Sequence, residues 1–250
     1  MIETNFHYKS FIFPCGERHI QILDIEDMPS NETVIWEFEK NEELIELLLI
    51  ANALREMGGK LRYLDLPYVP FSRQDRVNGL GECFSLKVFC HQINLLRIEK
   101  VRIMDPHSDV TPALLHNCEV TPQEQIFEKY FHGMDIFNLV SPDGGALKKI
   151  YKLASIVKPL RVIECSKIRN TATGEITGVK ANCDMLGKQP CFIVDDICDG
   201  GRTFIEIAKV LKEKGAGKIV LMVTHGFFTK GLEVFDGLID EIYTRKGRVK

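Results

Sequence analysis

Three carboxylates stand close together in the stretch VDDICDGGRT, at residues 194–203. Asp195 and Asp196 are adjacent at the end of an apolar run, and Asp199 follows them. Adjacent acids repel each other, so their burial requires a cation or hydroxyl groups that donate hydrogen bonds to them. The three acids therefore predict a site for a polyhydroxylated ligand or for Mg²⁺.

The residues that follow the acids are suited to a phosphate group. Gly200 and Gly201 allow the backbone to approach a ligand closely or to adopt a positive φ. A helical pattern follows Thr203, the expected N-cap, and the free N–H groups at a helix N-terminus attract anions. Together with the acids, this predicts a sugar phosphate as the ligand. The alternative is an ordinary strand-to-helix turn with solvated acids, since glycine-rich turns are common in such folds.

Strand-like and helical segments alternate along the chain, which predicts an α/β fold of mainly parallel sheets flanked by helices. Asn41 and Ser85 are the expected N-caps of the first two helices. We expect a division into domains 1–135 and 136–250. Strands, some with an adjoining turn or loop, are predicted within residues 11–25, 33–38, 61–70, 100–108, 136–145, 160–169, 190–203 and 218–226, and helices within 41–59, 84–98, 146–157 and 204–217.

The composition excludes several classes of protein. The net charge of −3 gives no basic surplus for nucleic acid or an anionic membrane. No apolar run is long enough to cross a bilayer, and the first ten residues lack the core of a signal peptide. The eight cysteines form no CxxC pair, which favours reduced thiols and a cytoplasmic location. The polar stretch 170–190 is the expected mobile segment, part of which can form a hairpin turning at 172–175.

The stretch 194–203 resembles the phosphoribosyl diphosphate (PRPP) binding motif of type I phosphoribosyltransferases and of PRPP synthetase. The resemblance implies that Asp195 and Asp196 contact the ribose 2- and 3-hydroxyls. It also implies that the loop Asp199-Gly200-Gly201-Arg202-Thr203 holds the 5-phosphate, with Asp199 near the reacting C1 hydroxyl.

Residues 68–77, YVPFSRQDRV, resemble the ATP-binding stretch PYARQDK of PRPP synthetase. The resemblance implies ATP contacts from four consecutive residues: Arg73, Gln74, Asp75 and Arg76. Arginine can hold triphosphate oxygens in pairs, and Gln74 and Asp75 can bind polar edges. Taken alone, the stretch is also typical of a charged surface loop.

Two further segments resemble parts of that family which contact Mg²⁺ and ATP. The segment IMDPHS, at 103–108, is similar to MDLH and implies that His107 binds Mg-ATP, with Asp105 a second possible metal contact. The segment VSPDGG, at 140–145, is similar to SPDxGG and implies that Asp143 contacts Mg²⁺. The alternatives are a structural histidine and a turn built from Pro, Asp and Gly.

The last resemblances concern a catalytic loop and an adenine-binding loop. The segment CSKIRN, at 165–170, is similar to the family's KxR loop and implies that Lys167 and Arg169 clamp the β-phosphate. The segment FPCGE, at 13–17, is similar to FxxGE and implies that Phe13 stacks on adenine, with Glu17 as a polar contact, from a neighbouring subunit. The THG at 224–226 also matches.

These matches occur in family order, and the chain is identified as a compact member of the PRPP synthetase family with two phosphoribosyltransferase-like domains. The resemblance implies an ATP side in 1–135 and a ribose-phosphate side in 136–250. It also implies Mg²⁺, a homo-oligomer, and transfer of the β,γ-diphosphoryl group of ATP to ribose 5-phosphate with release of AMP.

The phosphate loop departs from the family pattern DTGGT. Gly200 removes a hydroxyl and bulk, and Arg202 adds a guanidinium. These changes favour a second hypothesis, in which the acceptor is ADP-ribose and the product serves NAD salvage. Cys15 also replaces the usual Asn or Asp of the adenine loop. A non-catalytic regulatory homologue and a phosphoribosyltransferase that consumes PRPP are further alternatives.

Overall fold

The computed structural model describes residues 1–169 and 176–250, without the side chains at 167–169 and 176–177. This part of the chain forms two compact units, Met1–Thr121 and Pro122–Lys250. No helix in it is both long and apolar enough to cross a membrane. The α/β fold class, with mostly parallel strands and flanking helices, is confirmed.

The first unit contains a five-stranded sheet in the order β1-β4-β5-β6-β7 and a separate antiparallel hairpin, β2-β3. Only β1 is antiparallel to its neighbour in the larger sheet. The elements are β1 (Ile2–Thr4), β2 (Tyr8–Ile12), β3 (Arg18–Ile22), β4 (Thr33–Trp36), α1 (Glu42–Glu56), β5 (Tyr63–Leu66), α2 (Ser85–Leu95), β6 (Lys100–Met104), α3 (Val110–Leu114) and β7 (Cys118–Thr121).

The second unit contains a seven-stranded sheet in the order β10-β9-β8-β11-β12-β13-β14. The five inner strands are parallel, and the two edge strands are antiparallel to their neighbours. The elements are α4 (Gln123–Phe127), β8 (Asn138–Ser141), α5 (Leu147–Val157), β9 (Arg161–Arg169), β10 (Ile176–Ala181), β11 (Cys191–Cys198), α6 (Arg202–Glu213), β12 (Ile219–Gly226), β13 (Glu241–Thr244) and β14 (Gly247–Arg248).

The central strand β11 is buried on both faces because helices cover both sides of this sheet. Phe192 and Val194 pack in one cluster with Ile150 of α5. Ile193, whose side chain points to the opposite face, packs in another cluster with Ile207 of α6. This explains why β11 has a continuous apolar run rather than an alternating pattern.

The two compact units divide earlier in the chain than the predicted boundary at 135/136. Phe131 lies before that boundary, yet its ring stacks on Phe137 with centroids 5.0 Å apart, and both belong to the core of the second unit. The assignment of 1–135 to ATP and 136–250 to the ribose phosphate stays a prediction, because it concerns function rather than packing.

Asn41 occupies the N-cap position of α1 as predicted, although its side chain makes no capping hydrogen bond. The other two predicted N-caps differ in the structure. Ser85 is the first residue of α2, and Phe84 occupies the cap position. Thr203 lies inside the first turn of α6, which Gly201 caps with φ +78°. Gly201 rather than Thr203 occupies the N-cap position because the backbone there has a positive φ, which a residue with a side chain rarely adopts.

The predicted hairpin within 170–190 has a counterpart in β10, which pairs antiparallel with β9. The predicted turn at 172–175 lies outside the described residues, as do residues 170–175 of the segment expected to be mobile.

Candidate active site

The acidic pair lies in the second half of the central strand of the second unit. Asp195 and Asp196 are inside β11 rather than after it, because the strand continues to pair with β12 as far as Cys198 opposite Gly226. The polar end of the parallel neighbour β8 precedes Asp143. Carboxyl ends of neighbouring parallel strands meet at one edge of a sheet, which is where such folds bind ligands.

Asp196 is buried, with 6% of its surface exposed. Its carboxylate Oδ2 lies 3.8 Å from Nζ of Lys149 on α5. A buried carboxylate is stable only when it is paired or hydrogen-bonded, and this lysine supplies the opposite charge. The pairing brings α5 into the site.

Asp195 is held in an environment that favours its protonated form. Its Oδ1 accepts a hydrogen bond from the backbone N–H of Asp196 at 2.9 Å. Burial raises the pKa of Asp195 well above the ordinary value, and the negative charges of Asp196 and Asp143 raise it further. The pair therefore behaves as two acids that resist simultaneous ionisation, as the adjacent carboxylates predict.

Asp143 begins the turn into α5. Its Oδ1 accepts hydrogen bonds from the backbone N–H groups of Gly145, at 3.0 Å, and Ala146, at 3.3 Å. The turn role given as an alternative is thus present. Its charge also acts on Asp195, so the structure brings Asp143 together with the acidic pair.

The turn between β11 and α6 has no room for a side chain at Gly201. A Cβ atom there would lie 2.4 Å from Cζ of Phe235, and φ is +78°. Gly201 is the N-cap of the twelve-residue helix α6. Arg202 is exposed at the first position of the helix, and Thr203, the next residue, is half-buried. The turn therefore presents a helix N-terminus together with a guanidinium, which suits a phosphate.

A second loop contacts the phosphate loop. The hydroxyl of Thr229 donates a hydrogen bond of 2.7 Å to Oδ1 of Asp199, and the N–H of Thr229 donates to the carbonyl of Asp199 at 3.2 Å. Lys230 passes beside Gly200, with its Cγ 3.3 Å from the position of an added Cβ. The residues of the predicted ribose-phosphate site thus form one cluster.

Cys198 lies within this cluster but is not suited to act as a nucleophile. Burial raises the pKa of its thiol to about 12, and the nearby charges of Asp195 and Asp199 contribute. Since the thiolate is the reactive form, the cysteine remains a neutral core residue.

In the first unit, Asp75, Arg76 and His107 lie close together. Arg76 donates from Nε to Oδ1 of Asp75 at 2.8 Å and from Nη2 to Oδ2 at 3.3 Å. The hydrogen bonds from Arg76 lower the pKa of the buried Asp75, and the electrostatic interaction with His107 lowers it further. The buried Asp75 therefore orients the exposed Arg76.

The other predicted ATP contacts of this sheet differ in exposure. Arg73 and Gln74 are exposed beside Asp75, in the loop between β5 and α2, and His107 is exposed after β6. Asp105 is almost completely buried at the end of β6, with φ +40°.

Phe13 and Glu17 lie at the tip of the β2-β3 hairpin rather than on the five-stranded sheet. The N–H of Phe13 donates to the carbonyl of Glu17 at 2.8 Å, which closes the turn. Phe13 is 45% exposed, and its ring lies 5.1 Å from that of Phe11. Cys15 donates to Glu17 at 3.5 Å. The exposed ring leaves a face available for stacking.

Lys167 and Arg169 lie at the end of β9, where Lys167 pairs with Val179 and Arg169 with Ile176 of β10. The side chains of both residues are outside the described part of the structure. Their predicted role on the β-phosphate stays a prediction.

The donors fit Mg²⁺ that is held mainly by a nucleotide. No group of three or more His, Cys, Asp or Glu residues suited to a metal occurs within residues 1–169 and 176–250. Magnesium bound with phosphates needs only one or two carboxylates and keeps several waters. Asp143 offers a partly exposed carboxylate in the second unit, and His107 offers an imidazole in the first.

Four neighbours of the acids and the phosphate loop were not predicted from the sequence: Lys149, Thr229, Lys230 and Phe235. Each contacts the site from another element, at a sequence distance that local patterns do not span. The THG match at 224–226 gave the only sequence signal near this group.

Comparison with known proteins identifies one matching domain and relatives that match most of the chain. Residues 159–244 match the phosphoribosyl synthetase-associated domain. The ribose-phosphate pyrophosphokinase of Pyrococcus furiosus is 32% identical over 244 residues, which cover 96% of this chain and 84% of the relative. That of Thermococcus kodakarensis is 31% identical over 233 residues, which cover 92% and 81%.

Among solved structures, the phosphoribosylpyrophosphate synthetase of Mycobacterium smegmatis has a similar fold. The TM-score is 0.81, and the match covers 96% of this chain and 80% of that chain at 20% identity. At this identity the likeness concerns the fold alone.

Proposed function

This chain belongs to the ribose-phosphate pyrophosphokinase family of transferases, and from that premise we propose that it transfers a diphosphoryl group from ATP to the anomeric hydroxyl of ribose 5-phosphate. The observation that carries the proposal is the cluster of Asp195, Asp196 and the loop 199–203. It combines acceptors for ribose hydroxyls with a helix N-terminus for the phosphate.

In the proposed reaction, the C1 hydroxyl oxygen of the ribose attacks the β-phosphorus of ATP. The bond from that phosphorus to the oxygen bridging the α-phosphate breaks, AMP leaves with the bridging oxygen, and the hydroxyl proton passes to solvent. Such a transfer depends on positioning and on charge stabilisation more than on covalent catalysis.

The residues of the second unit hold the acceptor in this proposal. Asp195 and Asp196 bind the 2- and 3-hydroxyls, and the loop 199–203 binds the 5-phosphate. Asp199, held by Thr229, lies beside the C1 end. Lys167 and Arg169 stabilise the charge on the β-phosphate.

ATP is held by residues of the first unit. Arg76, oriented by Asp75, and Arg73 bind phosphate oxygens, and Gln74 binds a polar edge. Phe13 stacks on the adenine bound by a neighbouring subunit, and Glu17 supplies a polar contact there. Magnesium would neutralise charge on the phosphates. The residues proposed to contact it are His107 in the first unit, with Asp105 as a further candidate, and Asp143 in the second unit.

A second candidate acceptor is ADP-ribose. The observation that favours it is the phosphate loop, where Arg202 is exposed and Lys230 lies beside the side-chain-free Gly200. A second cation suits a diphosphate better than a monophosphate. The product would be ADP-ribose 1-diphosphate, a suitable intermediate for NAD salvage.

We further propose a cytoplasmic homo-oligomer, in which the exposed Phe13 contacts the adenine bound by a neighbouring subunit. Light scattering of the purified chain measures its oligomeric state. A monomer that turns over ATP would contradict the proposed homo-oligomer.

The test of the function is the release of AMP from Mg-ATP with each acceptor in turn, with products identified by mass spectrometry. AMP with PRPP supports the first proposal, and AMP with ADP-ribose 1-diphosphate supports the second. Nucleotide binding without AMP release would indicate a regulatory homologue. Release of pyrophosphate from PRPP in the presence of a nucleobase would indicate a phosphoribosyltransferase.

A further inference from the structure

The helix α5 contributes a charged residue to the acidic pair that the matched motifs do not include. Lys149 is a quarter exposed at its side chain, and the carboxylate of Asp196 beside it is 9% exposed. The distance of 3.8 Å between Nζ and Oδ2 places the ammonium against the carboxylate in a largely desolvated site. Electrostatic attraction is much stronger there than between exposed side chains.

The geometry of the sheet explains why this contact forms. Phe192 and Val194 of β11 pack in the cluster that contains Ile150 and Leu153 of α5. Asp196 continues the alternation of these two residues and therefore points to the same face. Lys149 is one turn before Leu153 on α5, so its side chain lies above the same strand.

We propose that Lys149 is a positioning residue, which fixes the Asp196 carboxylate so that its oxygens can accept hydrogen bonds from the ribose hydroxyls. This inference rests on the proposed function. Without the ammonium, no positive charge from Lys149 offsets the repulsion of the Asp196 carboxylate by Asp195 and Asp143. The Asp196 side chain would then rotate away or take up a proton. Either response removes a hydroxyl acceptor.

The proposed role of Lys149 predicts that loss of its charge weakens binding of the acceptor more than binding of ATP. Lys149 acts through Asp196, which binds the sugar, whereas the ATP contacts lie on the first unit. Loss of the ammonium should therefore raise the KM for the ribose phosphate more than the KM for ATP. A residue that only stabilises the fold would not discriminate between the two substrates.

The test compares Lys149→Met, which keeps the length of the side chain without its charge, with Lys149→Arg, which keeps the charge. Lys152→Met is the matched control, because Lys152 is exposed on the same helix. The measurements are kcat and both KM values in the AMP-release assay, with thermal unfolding of each variant.

We expect Lys149→Met to raise the KM for ribose 5-phosphate by about tenfold, equivalent to about 1.4 kcal/mol, and to leave the KM for ATP within about twofold. Lys149→Arg should recover most of the affinity, and Lys152→Met should match the unmodified protein. Should Lys149→Met not fold, Lys149→Gln provides the same comparison with a polar side chain.

Equal changes in both KM values, or no change in either, would overturn the role of Lys149 while leaving the proposed function in place. An unmodified protein that folds but neither binds ribose 5-phosphate or ADP-ribose in calorimetry nor releases AMP would overturn the proposed function, and the role of Lys149 with it. These outcomes are distinguishable because the second is read from the unmodified protein alone.

Discussion

At the scale of single residues, repulsion between the two adjacent acids lowers the stability of the protein. Hydrogen bonds from a bound sugar would reduce that repulsion. Asp195 and Asp196 are adjacent in β11, and Lys149 compensates only one of them directly. Ribose hydroxyls donate hydrogen bonds, so an acceptor bound as proposed would offer donors to both carboxylates. Sites of this kind commonly trade stability for function.

The raised pKa of Asp195 predicts a pH-dependent cost in stability. Between the ordinary aspartate pKa of about 3.9 and the raised pKa, the folded state binds more protons than the unfolded state, so stability falls as pH rises. Asp195→Asn removes this loss, which amounts to about 1.4 kcal/mol at most for each pH unit. Thermal unfolding of the ligand-free protein at a series of pH values above about 3.9 measures this loss.

The variant Asp195→Asn should be more stable than the unmodified protein at the upper end of this range and should bind ribose 5-phosphate less tightly. Asp184→Asn is the control, because Asp184 is exposed in the same unit. A variant with the same pH profile as the unmodified protein would show that Asp195 ionises without cost.

Lys167 gives the prediction that depends most on the sequence resemblance. Lys167→Ala should lower kcat by about a hundredfold or more, because it removes a cation that stabilises charge developing on the β-phosphate. The KM for both substrates should change little, and circular dichroism should show an intact fold. Lys180→Ala, in the neighbouring strand β10, is a control at an exposed lysine.

A fall in kcat no larger than that of Lys180→Ala would contradict the role of Lys167. A large rise in the KM for one substrate would instead indicate that Lys167 acts in binding.

At the scale of elements, the turn between β11 and α6 fixes the phosphate loop. Gly201 requires both a positive φ and the absence of a side chain, because Phe235 packs against it. We expect Gly201→Ala to destabilise the protein by about 1–3 kcal/mol and to weaken binding of ribose 5-phosphate. Thermal unfolding and calorimetric titration measure the two effects.

Comparison with Gly237→Ala separates the two effects of Gly201→Ala, which are backbone strain and steric overlap with Phe235. Gly237 has a similar φ of +73°, but no atom lies within 4 Å of its added Cβ. The two variants should share the cost of the backbone conformation, and only Gly201→Ala should also displace Phe235. Equal losses of stability and unchanged sugar binding would show that the contact with Phe235 does not shape the loop.

Strands and helices with strong local patterns were predicted from the sequence. The helix α6 has its apolar residues at helical spacing, and β11 has a continuous apolar run. The N-cap of α6 was wrong, because Thr203 has the expected residue type but the turn requires a positive φ at Gly201. Such turn geometry depends on the packing of Phe235, which follows much later in the chain.

Contacts between distant elements could not be predicted in the same way. Nothing near Lys149 indicates that it faces Asp196, since the contact depends on how α5 lies across β11. In contrast, the acids, the glycines and Arg202 are contiguous in the chain, so their common site was evident from their order.

At the scale of the whole molecule, the family assignment covers both compact units. The Pyrococcus furiosus relative matches over 96% of this chain, whereas the domain match is confined to residues 159–244. Since the predicted ATP contacts belong to the first unit and the acceptor contacts to the second, both units are required for the proposed reaction.

The proposed reaction makes a 1-diphosphorylated ribose with ATP as the donor. Its most direct test is a single incubation of the full chain with Mg-ATP and ribose 5-phosphate, followed by ³¹P NMR and mass spectrometry. A parallel sample contains ADP-ribose as the acceptor. We expect AMP and a new 1-diphosphate ester in equal amounts in at least one sample. Absence of AMP from both samples of a folded protein would rule out the proposed reaction.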